Sequence, residues 1–97
     1  MNVHILDPAK DDLADGYRFY EIQSSGLGTY FLDTIFAEID SLETYAGIHP
    51  MYDPPYFQML SRRFPYAVYY RIENDAVFVE AVIDRRRDPE WISERLN

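Results

Sequence analysis

The feature that most constrains this chain is a pair of amphipathic segments separated by only three residues, Ser24-Ser25-Gly26. Apolar residues recur at helical spacing on both sides of the turn, which predicts two helices, the second ending near Ala46 with Gly47 as its C-cap. Helices joined so tightly form an antiparallel hairpin, whose apolar face needs a sheet to cover it. The stripe residues are Ala9, Leu13, Tyr17 and Tyr20 in the first segment, and Leu32, Ile35, Phe36, Ile39 and Leu42 in the second.

The sequence around the hairpin predicts strands. Val3 to Leu6 is short and β-branched, and Asp7-Pro8 ends it, with Asp7 as the N-cap of the first helix. Three more strands follow a proline-rich loop, and Asn74-Asp75 is the turn between the last two. These strands are Phe57 to Leu60, Tyr66 to Ile72 and Ala76 to Ile83, with Val77, Val79 and Ala81 on one face of the last; Ile92 to Leu96 adds a final helical turn.

The order of elements is therefore β-α-α-β-β-β, an α+β arrangement whose last three strands are antiparallel. Since 97 residues with 47% hydrophobic content build one modest core, we expect a single domain, residues 1–97. The chain has no cysteine for disulfides or thiolate metal sites. It shows neither a secretory signal nor an apolar run of the roughly 20 residues that span a membrane. We expect a cytoplasmic protein with no membrane partner.

The net charge of −8 is unevenly distributed. Residues 1–61 hold ten acidic residues against Lys10 and Arg18, whereas residues 62–97 hold seven acidic residues and seven arginines. An acidic surface repels phosphate backbones, so an anionic partner would dock on the C-terminal third of the chain.

Few residues are suited to catalysis or metal binding. His4 and His49 are the only histidines, and neither has a ligand partner at helical spacing. Asp11 and Asp12 lie at a helix start, where the helix dipole explains them. The sequence therefore predicts neither a metal site nor a cofactor.

The most specific local feature is Arg85-Arg86-Arg87-Asp88-Pro89, directly after the last strand, with Trp91 two residues beyond it and Arg62-Arg63 before the third strand. Guanidinium groups at a strand end can bind phosphates or carboxylates in a forked geometry. The alternative is that these arginines pair with the chain's own acids and that Trp91 covers the edge of the core.

Several short segments, in this order and spacing, closely resemble RelE/ParE toxins. They are Ala9, Leu13, Tyr20 and Glu21, then Gly26-Leu27-Gly28 with Phe31, then Phe64-Pro65-Tyr66 with Tyr69-Tyr70 and Ile72, then Ala81-Val82-Ile83 and Arg86-Arg87-Asp88-Pro89. The resemblance covers nearly the whole chain. It implies a helical hairpin packed on a twisted antiparallel sheet.

The resemblance also implies a partner. Such toxins, some of which act in plasmid stabilization, are neutralised in a hetero-oligomer by a co-encoded antitoxin whose C-terminal segment folds on binding. A segment of that kind needs a long surface to wrap, which the hairpin and the sheet edge offer. The residues expected to contact it are Leu13, Tyr17, Tyr20, Phe31 and Ile35.

Members of the superfamily differ in target: RelE-like toxins are ribosome-dependent mRNA endonucleases, and ParE-like toxins bind DNA gyrase. The nucleases carry basic residues on the second strand, where this chain has Phe57 to Leu60, and an arginine on the third strand, where it has Ala67. On the fourth strand, Asp84 stands where many relatives have a histidine or a lysine. We therefore expect a gyrase-binding toxin with Arg62, Arg63, Arg85, Arg86, Arg87 and Trp91 as target contacts. One alternative is an endonuclease that acts on the ribosome and mRNA with Arg85, Arg87 and Tyr66; another is a non-toxic relative that binds an antitoxin or regulates the operon.

Overall fold

A computed structural model describes residues 1–97 and confirms the predicted α+β fold and the order of its main elements. The second predicted helix is divided in two, and the predicted final helical turn is part of a longer C-terminal helix. The elements are β1 (Asn2–Ile5), α1 (Asp7–Gln23), α2 (Leu27–Asp40), α3 (Leu42–Tyr45), β2 (Phe57–Leu60), β3 (Tyr66–Glu73), β4 (Ala76–Asp84) and α4 (Pro89–Leu96).

The four strands form one sheet in the order β1-β4-β3-β2. Strands β2, β3 and β4 are antiparallel as predicted, whereas β1 pairs in parallel with the first half of β4, so the sheet is mixed. Asn74 and Asp75 both have positive φ, at 51° and 61°, which is the conformation that a tight hairpin turn requires.

The predicted alternation along β4 is wrong beyond Val79. Tyr69 pairs with Ala81 but Tyr70 pairs with Val79, so Glu80 is an extra residue and forms a β-bulge. A one-residue shift exchanges the two faces of a strand. Ala81 therefore lies on the face opposite to Val79.

The helical hairpin covers one face of the sheet, and its two helices approach closely at two glycines. A Cβ on Gly16 would lie 2.6 Å from the ring of Phe31, and one on Gly28 would lie 2.7 Å from the carbonyl oxygen of Tyr17. Phe31 and Ile35 of α2 are fully buried in the core between the hairpin and the sheet.

A second, smaller core lies on the other face, under α4. Ile92 and Leu96 pack there against Tyr69 and Ala81, and the hydroxyl of Tyr56 donates to the carbonyl oxygen of Leu96 at 2.9 Å. The helix begins at Pro89, earlier than predicted, because the Asp88 side chain accepts from the backbone N–H of Glu90 and caps it.

The other predicted helix ends need correction. Helix α1 starts at Asp7 itself, so Leu6 is the cap residue and Asp7 is not. The second predicted helix is interrupted at Ser41, whose hydroxyl donates to the carbonyl oxygen of Glu38 at 2.6 Å. Gly47 follows the last helical turn with φ of 97°, the left-handed conformation expected of it.

None of the helices has the length and apolar character needed to cross a membrane.

Gly28→Ala is expected to lower the free energy of unfolding by about 1–3 kcal/mol, because its Cβ would meet backbone of α1 and force the helices apart. Urea denaturation measures the change. Thr29→Ala, at an exposed neighbour in the same helix, is the control and should stay within about 0.5 kcal/mol of the unmodified protein. Equal stability of the two variants would contradict the close approach.

Candidate functional site

The three consecutive arginines lie in the turn between β4 and α4. Two backbone hydrogen bonds fix this turn: the Arg85 N–H donates to the carbonyl oxygen of Pro65 at 3.0 Å, and the Arg87 N–H donates to that of Asp84 at 3.3 Å. Tyr66 is the register partner of Asp84, so the start of β3 and the end of β4 meet here. The sheet thus brings Tyr66 to the arginine turn.

Arg86 is paired within the chain. Its Nε donates to Asp84 Oδ1 at 3.0 Å and its terminal NH2 to Oδ2 at 2.7 Å, which is the forked guanidinium–carboxylate geometry. The hydrogen bond from Arg86 is the main reason that the pKa of Asp84 is lowered, although partial burial opposes the effect. The structure therefore shows that Arg86 pairs with an acid of its own chain, which was the alternative to binding a partner.

Arg87 is held differently. Its guanidinium carbon lies 4.0 Å from the ring centroid of Trp91, one helical turn further along the chain, in a cation–π contact. Neither Arg87 nor Arg85 forms an ion pair with a carboxylate of the protein. Both residues are exposed, and each has N–H groups that can donate to an outside acceptor.

A cleft of about 390 Å³ opens beside Arg87 and is lined by Phe19, Tyr66, Asp84, Arg86 and Arg87. Burial, together with the neighbouring Tyr20 and Asp84, raises the pKa of Tyr66. The phenol therefore keeps its proton at neutral pH and can donate a hydrogen bond but cannot serve as a ready general base. The cleft is equipped to bind an anionic or aromatic group.

Arg62 and Arg63 lie apart from this cleft. They precede β3 in a turn that packs on α2, where Arg63 donates to the hydroxyl of Tyr30 at 2.9 Å and the backbone N–H of Arg62 donates to Glu38 at 2.9 Å. Neither residue lines the cleft that contains Arg87. The six predicted target contacts therefore do not form one group. Arg86 and Arg87 line this cleft, and Trp91 contacts Arg87 beside it. Arg85 lines no pocket with them, and Arg62 and Arg63 lie in the turn beside α2.

Sequence analysis missed the role of Asp12. Its carboxylate accepts from the N–H of Val82 at 3.0 Å and from Arg95 at 2.6 Å, joining α1, β4 and α4. Burial raises its pKa, against the opposing effects of the Val82 and Arg95 hydrogen bonds. Asp12 is therefore a structural tie, not the helix-dipole residue that the sequence predicted, and by holding α4 it helps to position Trp91.

The residues predicted to bind an antitoxin occupy three environments. Phe31 and Ile35 have no exposed surface, because both fill the core between hairpin and sheet, so neither is available to a partner. Tyr20 packs on Phe31 and lies near the arginine turn. Only Tyr17 and the edge of Leu13, a core residue that is 4% exposed, line an open apolar groove of about 490 Å³ between the outer sides of α1 and α2. The groove is lined by Ile5, Lys10, Leu13, Ala14, Tyr17, Arg18, Leu32 and Phe36.

Asp84→Asn should make the stability of the protein less dependent on pH. Because the folded pKa of Asp84 lies below its ordinary value of 3.8, the carboxylate stabilises the fold above about pH 4. This stabilisation disappears as the pH falls through the lowered pKa. The difference in free energy of unfolding between the unmodified protein and Asp84→Asn should therefore vanish on acidification, measured by urea titration at several pH values. Asp33→Asn, which removes an acid without an ion pair, is the control, and the same profile for both variants would contradict the Asp84–Arg86 pair.

Comparison with known proteins agrees with this architecture. The sequence model of the family described as "ParE toxin of type II toxin-antitoxin system, parDE" matches residues 3–89. No curated protein matches the sequence. Among solved structures, the chromosomal ParDE TA system from P. aeruginosa is similar, with a TM-score of 0.80 over 87% of this chain and 95% of that chain. Because the two sequences are 16% identical, this similarity shows the fold alone. Since the family match covers most of the sequence, the chain belongs to the ParE toxin family of type II toxin–antitoxin systems.

Proposed function

We propose that this protein inhibits growth by binding DNA gyrase through the surface formed by Arg87, Trp91 and Tyr66, with Arg85 in the adjoining turn, and that a co-encoded antitoxin neutralises it. The observation that carries the proposal is the exposed guanidinium of Arg87, stacked on Trp91 with no acidic partner in the chain. Arginine and tryptophan are the residue types that most often dominate binding energies at protein interfaces. Arg86 contributes less, since Asp84 already neutralises it.

Binding is favoured over catalysis by the chemistry of the cleft. RNA cleavage needs a group that accepts a proton from the 2′-hydroxyl and groups that stabilise developing negative charge. Burial raises the pKa of the Tyr66 phenol. Two carboxylates that act on this phenol, Asp84 and Asp12, are already bound to Arg86 and Arg95.

A second candidate is a ribosome-dependent endonuclease. It is supported by one observation, that Tyr66 and Arg87 line the same cleft. Its signature would be an immediate loss of translation with mRNA cut at codons, whereas a gyrase-binding toxin would first stop DNA synthesis.

The antitoxin is proposed to lie in the apolar groove between α1 and α2. Leu32 and Phe36 of α2 replace the buried Phe31 and Ile35 as contacts, beside Leu13 and Tyr17 of α1. An amphipathic segment that folds on binding would bury its apolar side there, and its basic residues would suit the acidic N-terminal part of the chain.

Arg87→Ala combined with Trp91→Ala should relieve growth inhibition when the protein is expressed in bacteria without antitoxin. Loss of two central contacts is expected to weaken gyrase binding about 30-fold or more. Viable counts, DNA synthesis and protein synthesis are followed together, with binding to purified gyrase measured by calorimetry. Arg18→Ala, which removes an exposed arginine that does not line the arginine cleft, should remain as toxic as the unmodified protein. Translation failing before DNA synthesis would overturn the gyrase proposal, and harmless expression of the unmodified chain would favour a non-toxic relative.

Phe36→Ala should weaken binding of the antitoxin encoded by the adjoining gene by about tenfold or more, because Phe36 offers a partly exposed ring to the groove. Toxicity should persist, and co-expressed antitoxin should relieve it less well. Ile22→Ala is the control, since Ile22 is a strongly exposed apolar residue of α1 that lines neither the groove nor the arginine cleft. Equal losses of antitoxin affinity in the two variants would exclude the groove as the specific site.

A further inference from the structure

A second cavity, of about 370 Å³, adjoins the arginine cleft on the side of α4, and we call it the α4 pocket. It shares Phe19, Tyr66, Asp84 and Arg87 with the cleft, and Trp91 of α4 also lines it. Helix α1, the end of β4 and helix α4 therefore all contribute to its walls. Its volume is at the lower end of that of small-molecule sites, so it has room for a few side-chain groups of a partner but not for a helix.

The charges in the α4 pocket are nearly all paired within the chain. Three carboxylates line it, and each forms an ion pair with an arginine: Asp84 with Arg86, Asp12 with Arg95 and Asp15 with Arg18. Arg87 is the one charged residue of the lining that forms no ion pair. The uncompensated charge of the pocket is therefore a single positive one.

Two further hydrogen-bond donors in this pocket have no acceptor in the chain. The hydroxyl of Tyr66 and the indole N–H of Trp91 form no hydrogen bond with another group of the protein. The Tyr66 hydroxyl is open to solvent, and Trp91 is 37% exposed. With the guanidinium of Arg87, the pocket thus has three side chains that can donate to an acceptor from outside.

We infer that the α4 pocket binds a carboxylate of the toxin's protein target, carried by an aspartate or glutamate that stands beside an aromatic residue. The carboxylate accepts from Arg87 and from the Tyr66 hydroxyl, and the neighbouring ring packs on Phe19, which is 57% exposed on the α1 wall. The identity of this partner rests on the proposed function, whereas the unpaired donors are a property of this chain.

A single unpaired cation suits one carboxylate better than a nucleic acid. A strand of DNA or RNA carries a series of phosphates, and a protein binds them by supplying several free basic groups. In the α4 pocket Arg95 is already bound to Asp12, and the chain as a whole has a net charge of −8. Every phosphate beyond the first would therefore meet an acidic surface without a free cation.

The binding preference can be measured directly, because Trp91 is the only tryptophan of the chain and its fluorescence reports on the α4 pocket. The full-length protein is titrated with a capped phenylalanine–aspartate dipeptide and with the matching phenylalanine–asparagine dipeptide, which keeps the shape and loses the charge. The aspartate peptide should bind about tenfold more tightly, as expected for a charge-assisted hydrogen bond. A short oligothymidylate, the polyanionic probe, should bind more weakly than the aspartate peptide.

Four variants test the residues that carry the inference. Arg87→Gln should remove the preference for aspartate, and Tyr66→Phe, which loses one donor, should weaken binding of the aspartate peptide about threefold or more. Phe19→Ala should weaken both peptides alike. Arg71→Gln is the matched control, since Arg71 is also stacked on an aromatic ring but lies outside the pocket, and it should leave the preference intact.

Equal affinities for the two peptides, an unchanged preference in Arg87→Gln, or tighter binding of the oligothymidylate would each overturn the inference. Competition with purified gyrase separates it from the proposed function: the aspartate peptide should displace gyrase from the protein, and the asparagine peptide should do so about tenfold less well. Gyrase binding that the aspartate peptide leaves unchanged would overturn the inference alone. An aspartate preference in a protein that binds no gyrase would overturn the gyrase proposal alone.

Discussion

The ring of Phe31 lies where α1 approaches α2 most closely, directly over Gly16, which has no Cβ to obstruct it. From this position the ring packs on Tyr20, Phe64 and Tyr66, with centroid separations of 5.0–5.2 Å. It thus contacts the other helix, the β2–β3 turn and the start of β3 together. Because close-packed cores transmit small displacements, a shift of the hairpin on this ring would move the end of the sheet that carries the arginines.

The arginine cleft contains groups fixed by that core, and the Trp91 ring that stacks on Arg87 beside the cleft is fixed by α4. Tyr66 is placed by Phe31 and by its pairing with Asp84, whereas Trp91 is placed by α4, which Asp12 and Arg95 tie to α1. The Arg87–Trp91 contact could be anticipated from the sequence, since Pro89 starts a helix and four residues make about one turn. Pairing of Arg86 with Asp84 could not, because several acids compete for an arginine until the turn is known.

The spacing of apolar residues that indicates a helix or a strand lies within one short segment, so the sequence predicts the order of elements well. What it misses depends on contacts between elements. The bulge at Glu80 is set by the register of β4 against β3, and Asp12 is needed because β1 ends before it can pair with Val82. Likewise a helical stripe identifies Phe31 and Ile35 as apolar but cannot distinguish a core residue from one that faces a partner, because both kinds of burial select the same residue types.

The apolar groove between α1 and α2 and the arginine cleft lie on opposite sides of α1. Lys10, Ala14 and Tyr17 line the groove, whereas Gly16 and Phe19 border the cleft region, which places the two sets about half a helical turn apart. A segment confined to the groove would therefore leave Arg87 accessible. For an antitoxin bound there to neutralise the toxin, its chain must extend around α1 to the arginine turn, or its bulk must prevent the target from approaching. A partner that covers both surfaces has to be long and largely extended, which is the form available to a disordered tail that orders on binding.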